Sequence, residues 1–348
     1  MAVFLVALGA ATGGVAAHPG GPQVGSRAEG IVLSGARLAL SAEMKPRPVA
    51  LAGTAPKGAK SLAQRTAAGR APSVQAAPVH ARALPPVHRW LPSGTGMWIH
   101  EYVRSEGGSG RAVVARAVQS GFTTLYVRTG STADGWTGSP TLRSLLPATN
   151  GTAVQVVAWD FPTLRDPVAD AHRMAIAARF HCPGCPRVAA VAPDVETAAE
   201  GTQISTTSVR IYYMMLRRLI PRDVAILATV PWPSSARRGT YPYAKTAQLT
   251  DAFMPMAYWY NQSPAAVTGT SMRYLAKFHR PVMPVGQGYD GRMDAPYIAA
   301  DPHPGLSVRS FTRVARAKGA RAISLWSWQT TGPLQWDAIT LAQTLFPR

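Results

Sequence analysis

The sequence predicts an α/β fold, a closed (β/α)8 TIM barrel, over residues 96–348. Two observations carry this prediction: short apolar runs alternate with helical patterns, and about 250 residues is a typical length for such a barrel. An open sheet of seven or eight strands is the alternative, although no glycine-rich phosphate loop follows any strand. The eight runs that read as buried strands are 97–103, 123–128, 153–161, 188–196, 224–232, 252–260, 281–289 and 322–328.

The segments between these runs have the spacing of amphipathic helices. In the first segment, Val113–Val118 places apolar residues on one stripe, and Gly121 ends the pattern. In the third segment, Asp166 followed by Pro167 predicts an N-cap and a first helical residue. The predicted helices are 110–121, 141–149, 166–180, 206–219, 240–251, 271–279, 308–319 and 334–346, of which 240–251 has the weakest pattern.

The residues before the barrel form two further segments. Residues 1–17 resemble a signal peptide with an apolar core and small residues before the expected cleavage point, although a basic start is missing. Residues 18–95 are rich in Ala, Pro, Gly and Arg, with ten Lys or Arg against two acids. Such a composition buries too little apolar surface to fold alone, so we expect a disordered basic tether. The alternative is a spacer whose composition reflects a GC-rich genome.

The charge and composition limit the classes of partner that the protein can bind. The 26 Lys or Arg and 15 Asp or Glu of residues 96–348 leave a basic surface, but no nucleic-acid-binding motif is present. For an exported bacterial protein, secreted or held at the cell envelope, the basic tether favours an anionic cell-wall polymer as a partner. The mature chain has no apolar stretch long enough to span a membrane. We expect a monomer that needs no cofactor and no metal.

Two acids at the end of the fourth predicted strand are the best candidate chemistry. Strand side chains alternate between faces, so Asp194 and Glu196 point the same way, in line with Ala190 and Ala192. Buried acids destabilise a fold unless they are paired or used, which makes the pair a candidate catalytic site. The alternative is a structural pair held by Arg128.

Catalytic residues of a (β/α)8 barrel lie at the carboxyl ends of its strands. Reading those ends adds aromatic, amide and charged side chains of the kind that stack on sugar rings and bind their hydroxyls. The aromatic residues also have an alternative role in packing. The predicted substrate-binding residues are Arg128, Asp160, Trp232, Trp259, Gln287, Tyr289, Trp326, Trp328 and Gln329, with Tyr258 beside the acids.

Three of these strand ends resemble known glycoside hydrolases. The Asp-x-Glu at 194–196, the Met-x-Tyr at 256–258 and the tryptophan at 326 or 328 are similar to the fourth, sixth and eighth strands of family-18-type chitinases. The final Trp-x-Trp-Gln is also similar to family-25-type muramidases. This chain departs from the chitinase pattern at Ala189 and Ala192, where acids are usual, and from the muramidase pattern at 98–100, which lacks the usual Asp.

The resemblance implies an exported hydrolase of a cell-wall or N-acetylated glycan. Glu196 would be the general acid, and an ionised Asp194 would stabilise an oxocarbenium ion or a substrate acetamido group acting as nucleophile. Tyr258 would hydrogen-bond the acetamido oxygen, and Trp326 would floor the sugar site. The alanine departures leave open a second reading, a non-catalytic carbohydrate-binding barrel at the cell envelope.

The two cysteines, Cys182 and Cys185, form a Cys-x-x-Cys motif before the fourth predicted strand. A zinc site would need distant histidines, because no second cysteine pair exists. In an exported protein we expect a disulfide, which fixes the shape of this loop more than the global stability, because the closed loop is short.

Overall fold

The computed structural model describes residues 89–347. The predicted signal peptide and residues 18–88 of the predicted tether lie outside the described residues. Within residues 89–347, no helix combines the length and the apolar character that crossing a membrane requires.

Eight parallel strands close into a barrel, which confirms the predicted fold. β1 pairs with β2 on one side and with β9 on the other, so the barrel has no free edge. The two-residue strand β3 pairs antiparallel with β2 outside the barrel wall. In chain order the strands are β1 (Gly94–Ile99), β2 (Thr124–Ser131), β3 (Gly135–Trp136), β4 (Gln155–Phe161), β5 (Ala190–Pro193), β6 (Ala225–Pro231), β7 (Ala252–Ala257), β8 (Val285–Gln287) and β9 (Ala322–Trp326).

Helices cover the outside of the strands, and their caps follow the sequence signals. Asp166 accepts hydrogen bonds from the backbone of Val168 and Ala169, both at 3.0 Å, so the predicted cap is present. The helices are α1 (Gly110–Gln119), α2 (Ser139–Ala148), α3 (Pro167–Ala178), α4 (Thr206–Leu219), α5 (Ser235–Arg238), α6 (Tyr243–Leu249), α7 (Pro264–Ala276), α8 (Pro304–Ala317) and α9 (Pro333–Leu341).

Two helices show the largest differences from the prediction. α7 begins at Pro264, seven residues before the predicted start at 271, because Ser263 caps it and accepts a hydrogen bond from the backbone of Ala266. Ser followed by Pro is a helix-start signal. The residues after it are mostly small, so the sequence shows no clear amphipathic pattern until residue 271. The short helix α5, which follows β6, was not predicted.

The core has two layers. Between the strands and the helices lies an outer layer of aliphatic and aromatic side chains. Inside the barrel lies a second cluster in which large residues such as Trp98, Tyr126 and Trp159 face alanines of other strands. Trp98 stacks on Tyr126 with ring centroids 4.7 Å apart, and its indole nitrogen donates to Ser324 at 2.9 Å. The barrel interior is therefore packed, as expected for eight strands.

The predicted disulfide is present. Cys182 and Cys185, with Cα atoms 5.6 Å apart, close the loop between α3 and β5. The loop leads directly into the strand that carries the two acids.

Candidate active site

The acid pair extends the fourth barrel strand, β5, at its carboxyl end. The backbone of Asp194 donates to Asp160 at 2.9 Å, and the backbone of Val195 donates to Thr229 at 3.2 Å. The Val195 side chain is fully buried in the outer layer. Because neighbouring strand residues alternate between faces, Asp194 and Glu196 lie on the inner face, above Ala192.

Asp194 is a buried carboxyl without a fixed partner. It is 5% exposed, and its Oδ1 has no hydrogen-bond partner among the described residues. Burial raises the pKa of Asp194 well above its ordinary value, and the neighbouring charges of Glu196 and Asp160 raise it further. This electrostatic setting favours a protonated Asp194 in the free protein. The sequence analysis predicted that Asp194 is ionised.

Glu196 is half-buried and has a similar but smaller perturbation. Burial raises its pKa from 4.5 to about 7, with a further contribution from Glu200 and an opposing one from the Arg237 guanidinium. Neither Glu196 nor Asp194 forms an ion pair within residues 89–347. Two neighbouring carboxyls that both resist ionisation hold a proton at neutral pH, as a general acid requires.

Tyr258 joins the pair from the strand β7 side. It follows the last residue of β7 and packs edge-on against Tyr289, with centroids 5.7 Å apart. Burial raises the pKa of the Tyr258 hydroxyl well above its ordinary value, and the charges of Asp194 and Glu196 contribute. The structure therefore brings Tyr258 to the two acids.

Aromatic rings form a floor at the carboxyl end of the barrel interior. The half-buried ring of Trp326 packs against Trp98 at 5.8 Å, His100 at 5.5 Å and Trp159 at 5.3 Å, all at the carboxyl end of the inner cluster. This surface is of the kind on which sugar rings stack.

Arg128 lies at the mouth but is not paired with the acids. Its guanidinium contacts His100 Nε2 at 3.1 Å and donates to Asp134 at 2.7 Å, above the ring of Trp159. The alternative in which Arg128 holds Asp194 and Glu196 as a structural pair therefore has no support in this geometry.

Asp160 points away from the mouth. It accepts from Arg173 Nε at 2.8 Å and is 1% exposed, in a network that includes Asp170 of α3. Its neighbours Trp159 and Ala158 belong to the inner and outer layers respectively, so alternation puts Asp160 on the outer face. Burial raises its pKa to about 7. The expected position across the barrel mouth is not where the structure places it.

Three of the predicted tryptophans lie in the outer layer rather than at the sugar cleft. Trp259 packs against Phe311 at 5.8 Å, and Trp328 packs edge-on against Trp336 at 5.0 Å. Trp232 is half-buried against the same layer. The sequence analysis gave packing as the alternative role of these residues. In the structure the three tryptophans have that packing role.

The predicted amides tie the mouth loops together. Gln287 accepts from the backbone of Tyr260 at 2.7 Å and donates to the Tyr289 carbonyl at 3.1 Å. Gln329 donates to the Glu101 carbonyl at 2.7 Å and accepts from the His100 backbone at 3.3 Å. Because the protein itself uses these amide groups, they position the loops rather than face a ligand.

Four residues near the acids were missed from the sequence. Glu200 acts on Glu196 from the segment after β5, Arg237 does so from the short helix α5, and Asp294 from the loop after β8. Asp294 accepts hydrogen bonds from the hydroxyls of Tyr260 and Tyr289. Tyr241 is buried and donates to the Val195 carbonyl at 2.8 Å, which fixes the peptide between the two acids. None of these four residues lies in a periodic sequence pattern that would reveal it.

The chain matches no protein-family model, and no curated protein matches its sequence. Solved structures do match. A chitinase from Chromobacterium violaceum superposes with a TM-score of 0.51 at 12% identity, covering 72% of this chain and 99% of the chitinase chain. An endo-1,4-beta-D-mannanase from Thermotoga petrophila gives 0.55 at 9% identity, covering 73% and 100%.

The active domain 2 of a chitinase from Pyrococcus furiosus gives a TM-score of 0.51 at 12% identity, covering 75% of this chain and 98% of that chain. The chain has the barrel fold of glycoside hydrolases. Identities of 9–12% establish the fold, and the activity has to be inferred from the chemistry of the site.

Among residues 89–347, no group of three or more His, Cys, Asp or Glu side chains is arranged to hold a metal ion. At the carboxyl end of the barrel, the structure therefore has two carboxyls with raised pKa values, the half-buried Tyr258 and an aromatic floor. The carboxyls can transfer a proton. That combination suits a reaction in which a leaving oxygen must be protonated.

Proposed function

We propose that this barrel is a glycoside hydrolase that cleaves a cell-wall or N-acetylated glycan, with Glu196 as the general acid. One observation carries the proposal: two carboxyls with raised pKa values share the inner face at the carboxyl end of β5. Perturbed acids at that end of a barrel are the usual position and setting of catalytic groups.

In this proposal, the protonated Glu196 gives its proton to the glycosidic oxygen as the bond from that oxygen to the sugar carbon breaks. With an N-acetylated sugar, the acetamido oxygen bonds to that carbon in place of a protein nucleophile. Water then opens the intermediate, and the Glu196 carboxylate takes the proton that the water releases.

Asp194 and Tyr258 support this step. As the N-acetylated sugar binds, Asp194 passes its proton to the neighbouring Glu196 carboxylate, which then delivers it to the glycosidic oxygen. The Asp194 carboxylate that remains offsets the positive charge that develops on the acetamido group. The Tyr258 hydroxyl donates a hydrogen bond to the acetamido oxygen, and the sugar ring stacks on the ring of Trp326. The half-exposed Arg128 contacts sugar hydroxyls at the rim, while Asp160 takes no part.

The proposal places the protein outside the cytoplasm of a bacterium, secreted or at the cell envelope. It rests on the signal-like residues 1–17 and on the disulfide Cys182–Cys185, which persists in oxidising compartments. The basic segment 18–95 would hold the protein to an anionic wall polymer, and the barrel would work as a monomer.

A specific observation favours a second function, carbohydrate binding without turnover. Ala192, directly below Asp194 on the inner face, is fully buried among apolar side chains. No third carboxyl therefore stands at that position to assist the pair. A barrel that has lost this group would keep the aromatic floor and bind glycans without cleaving them.

One experiment separates the two functions. The full chain is incubated with peptidoglycan and with chitin oligosaccharides, and both bound glycan and new reducing ends are measured. Release of reducing ends supports the hydrolase, and saturable binding without product supports the binding protein. Absence of both binding and product on every glycan would contradict both functions.

A further inference from the structure

A basic groove lies at the end of the barrel opposite the acids. A cavity of about 400 Å³ is lined by four arginines, Arg89, Arg217, Arg218 and Arg280, and by Asp251. These residues precede strands β1, β6, β7 and β8, or end the helix α4, so the cavity opens at the amino ends of the strands.

The carboxylate of Asp251, the one acid among the described residues that line this cavity, already has several hydrogen-bond and ion-pair partners. Asp251 forms ion pairs with Arg89, at 3.3 Å, and with Arg217, and it accepts from the backbone of Ile226 at 2.8 Å. Four guanidinium groups against one carboxylate leave a formal charge of 4 − 1 = +3 among the lining residues. Burial lowers the pKa of Arg217, the charge of Asp251 opposes this change, and the neighbouring charge of Arg89 adds to it.

Two of the four arginines that line the groove keep donors without a partner among the described residues. Arg280 uses its Nε to donate to the Ala247 carbonyl at 2.8 Å, and the exposed Arg218 has no hydrogen-bond partner among the described side chains. Each guanidinium carries five N–H donors, and its planar fork matches an oxyanion. Basic side chains at a helix end also offset the helix dipole, but that effect does not require four of them around one cavity.

The groove is longer than one anion. A second cavity of about 350 Å³ adjoins the first and shares Gln248 and Arg280 with it. A free phosphate would fill only part of this length, and a rigid nucleic-acid duplex is too wide to enter cavities of this size. A thin, flexible chain with regularly spaced charges fits both conditions.

The connection to the rest of the chain points the same way. Arg89 lines the groove, and the segment 18–88, which has nine Lys or Arg and two acids, joins the barrel at this residue. The sequence therefore carries positive charge both in the groove and in the segment that precedes it. We propose that this groove is a docking site for the phosphate groups of a flexible phosphodiester polymer, such as a glycerol phosphate polymer.

Binding at this end leaves the candidate active site at the opposite end of the barrel open. The proposal does not depend on whether the barrel cleaves glycans, because it rests on a different surface. It assigns the barrel itself, and not only the preceding basic segment, a part in holding the protein to an anionic polymer.

The test compares melting temperatures of the full chain with and without a glycerol phosphate polymer at constant ionic strength. A ligand of the folded barrel raises the melting temperature by mass action. The variant Arg218→Gln/Arg280→Gln removes two groove charges, and Arg210→Gln/Arg309→Gln removes two exposed charges elsewhere. The segment before Arg89 is the same in all three proteins, so its contribution cancels.

We expect the polymer to stabilise the wild type and the control variant, and the groove variant to bind roughly tenfold more weakly or worse, since charge-assisted hydrogen bonds are lost. Arg218→Gln alone, at an exposed position, keeps the test valid if the double variant folds poorly. Equal stabilisation of all the variants would overturn the proposal. Inorganic phosphate or duplex DNA, at the same phosphate concentration, acting as strongly as the polymer would also overturn it.

Discussion

The substitution Glu196→Gln tests the proposed general acid and its electrostatic setting together. The amide has nearly the shape of the acid but cannot give up a proton. Loss of a general acid lowers the rate by about 10²–10⁴-fold. We therefore expect release of reducing ends from peptidoglycan or chitin oligosaccharides to fall by that factor.

The same change alters stability in a direction that the structure fixes. The folded state holds the Glu196 proton more tightly than the unfolded chain, so stability is lost as the pH rises from 4.5 through about 7. A rise from 4.5 to about 7 corresponds to up to about 3 kcal/mol, at about 1.36 kcal/mol for each pH unit. Glu196 is half-buried, so solvent screening reduces this figure.

The glutamine variant lacks this penalty. At about pH 8 its melting temperature should exceed that of the wild type by several degrees, at about 2–4 °C for each kcal/mol, and the difference should vanish near pH 4. Asp337→Asn, at an exposed acid of α9, is the matched control and should change neither activity nor the pH dependence. Full activity of Glu196→Gln, or a lower melting temperature at both pH values, would refute the reasoning.

Three further substitutions test the surroundings of the acids. Asp194→Asn should raise the melting temperature above neutral pH and not at about pH 4, because the raised pKa of this carboxyl makes the wild type lose stability as the pH rises; an equal shift at both pH values would contradict this. Tyr258→Phe keeps the ring against Tyr289 but removes the hydroxyl, so turnover of N-acetylated substrates should fall by about 10²-fold with little change in melting temperature. Tyr241→Phe leaves the Val195 carbonyl without its donor, so urea denaturation should show a loss of about 1–3 kcal/mol, and an unchanged midpoint would argue against the role of this contact.

The barrel was predictable because its strands are buried on both faces. Such strands read as continuous apolar runs, and their number and spacing against the helices determine the fold class. The acid pair was predictable for a related reason. Two residues two positions apart on one strand share a face whatever the register, so Asp194 and Glu196 had to lie together.

The faces of the other strand-end residues were not predictable. When both faces of a strand are apolar, the sequence does not reveal which residues point inward. Tyr258 and Trp259 are neighbours, so only one of them can face the barrel interior, and the structure selects Tyr258. The same ambiguity applies to Trp159 and Asp160. In the structure Trp159 faces the interior, and Asp160 faces outward and pairs with Arg173 of α3.

The unequal filling of the barrel interior limits how this site can be altered. Trp98, Tyr126 and Trp159 of β1, β2 and β4 fill much of the interior, and they share one buried cluster with Ala190 and Ala192 of β5. Small residues suit these two positions because large rings of the same cluster already fill the interior. Adding a carboxyl at residue 192 to imitate the chitinase pattern would therefore force a charged group into filled volume. An enzyme engineer would first have to replace a large ring of the same cluster, such as Trp159, which is in register with Ala192 on the neighbouring strand. Redesign of this site therefore has to change two interior positions together.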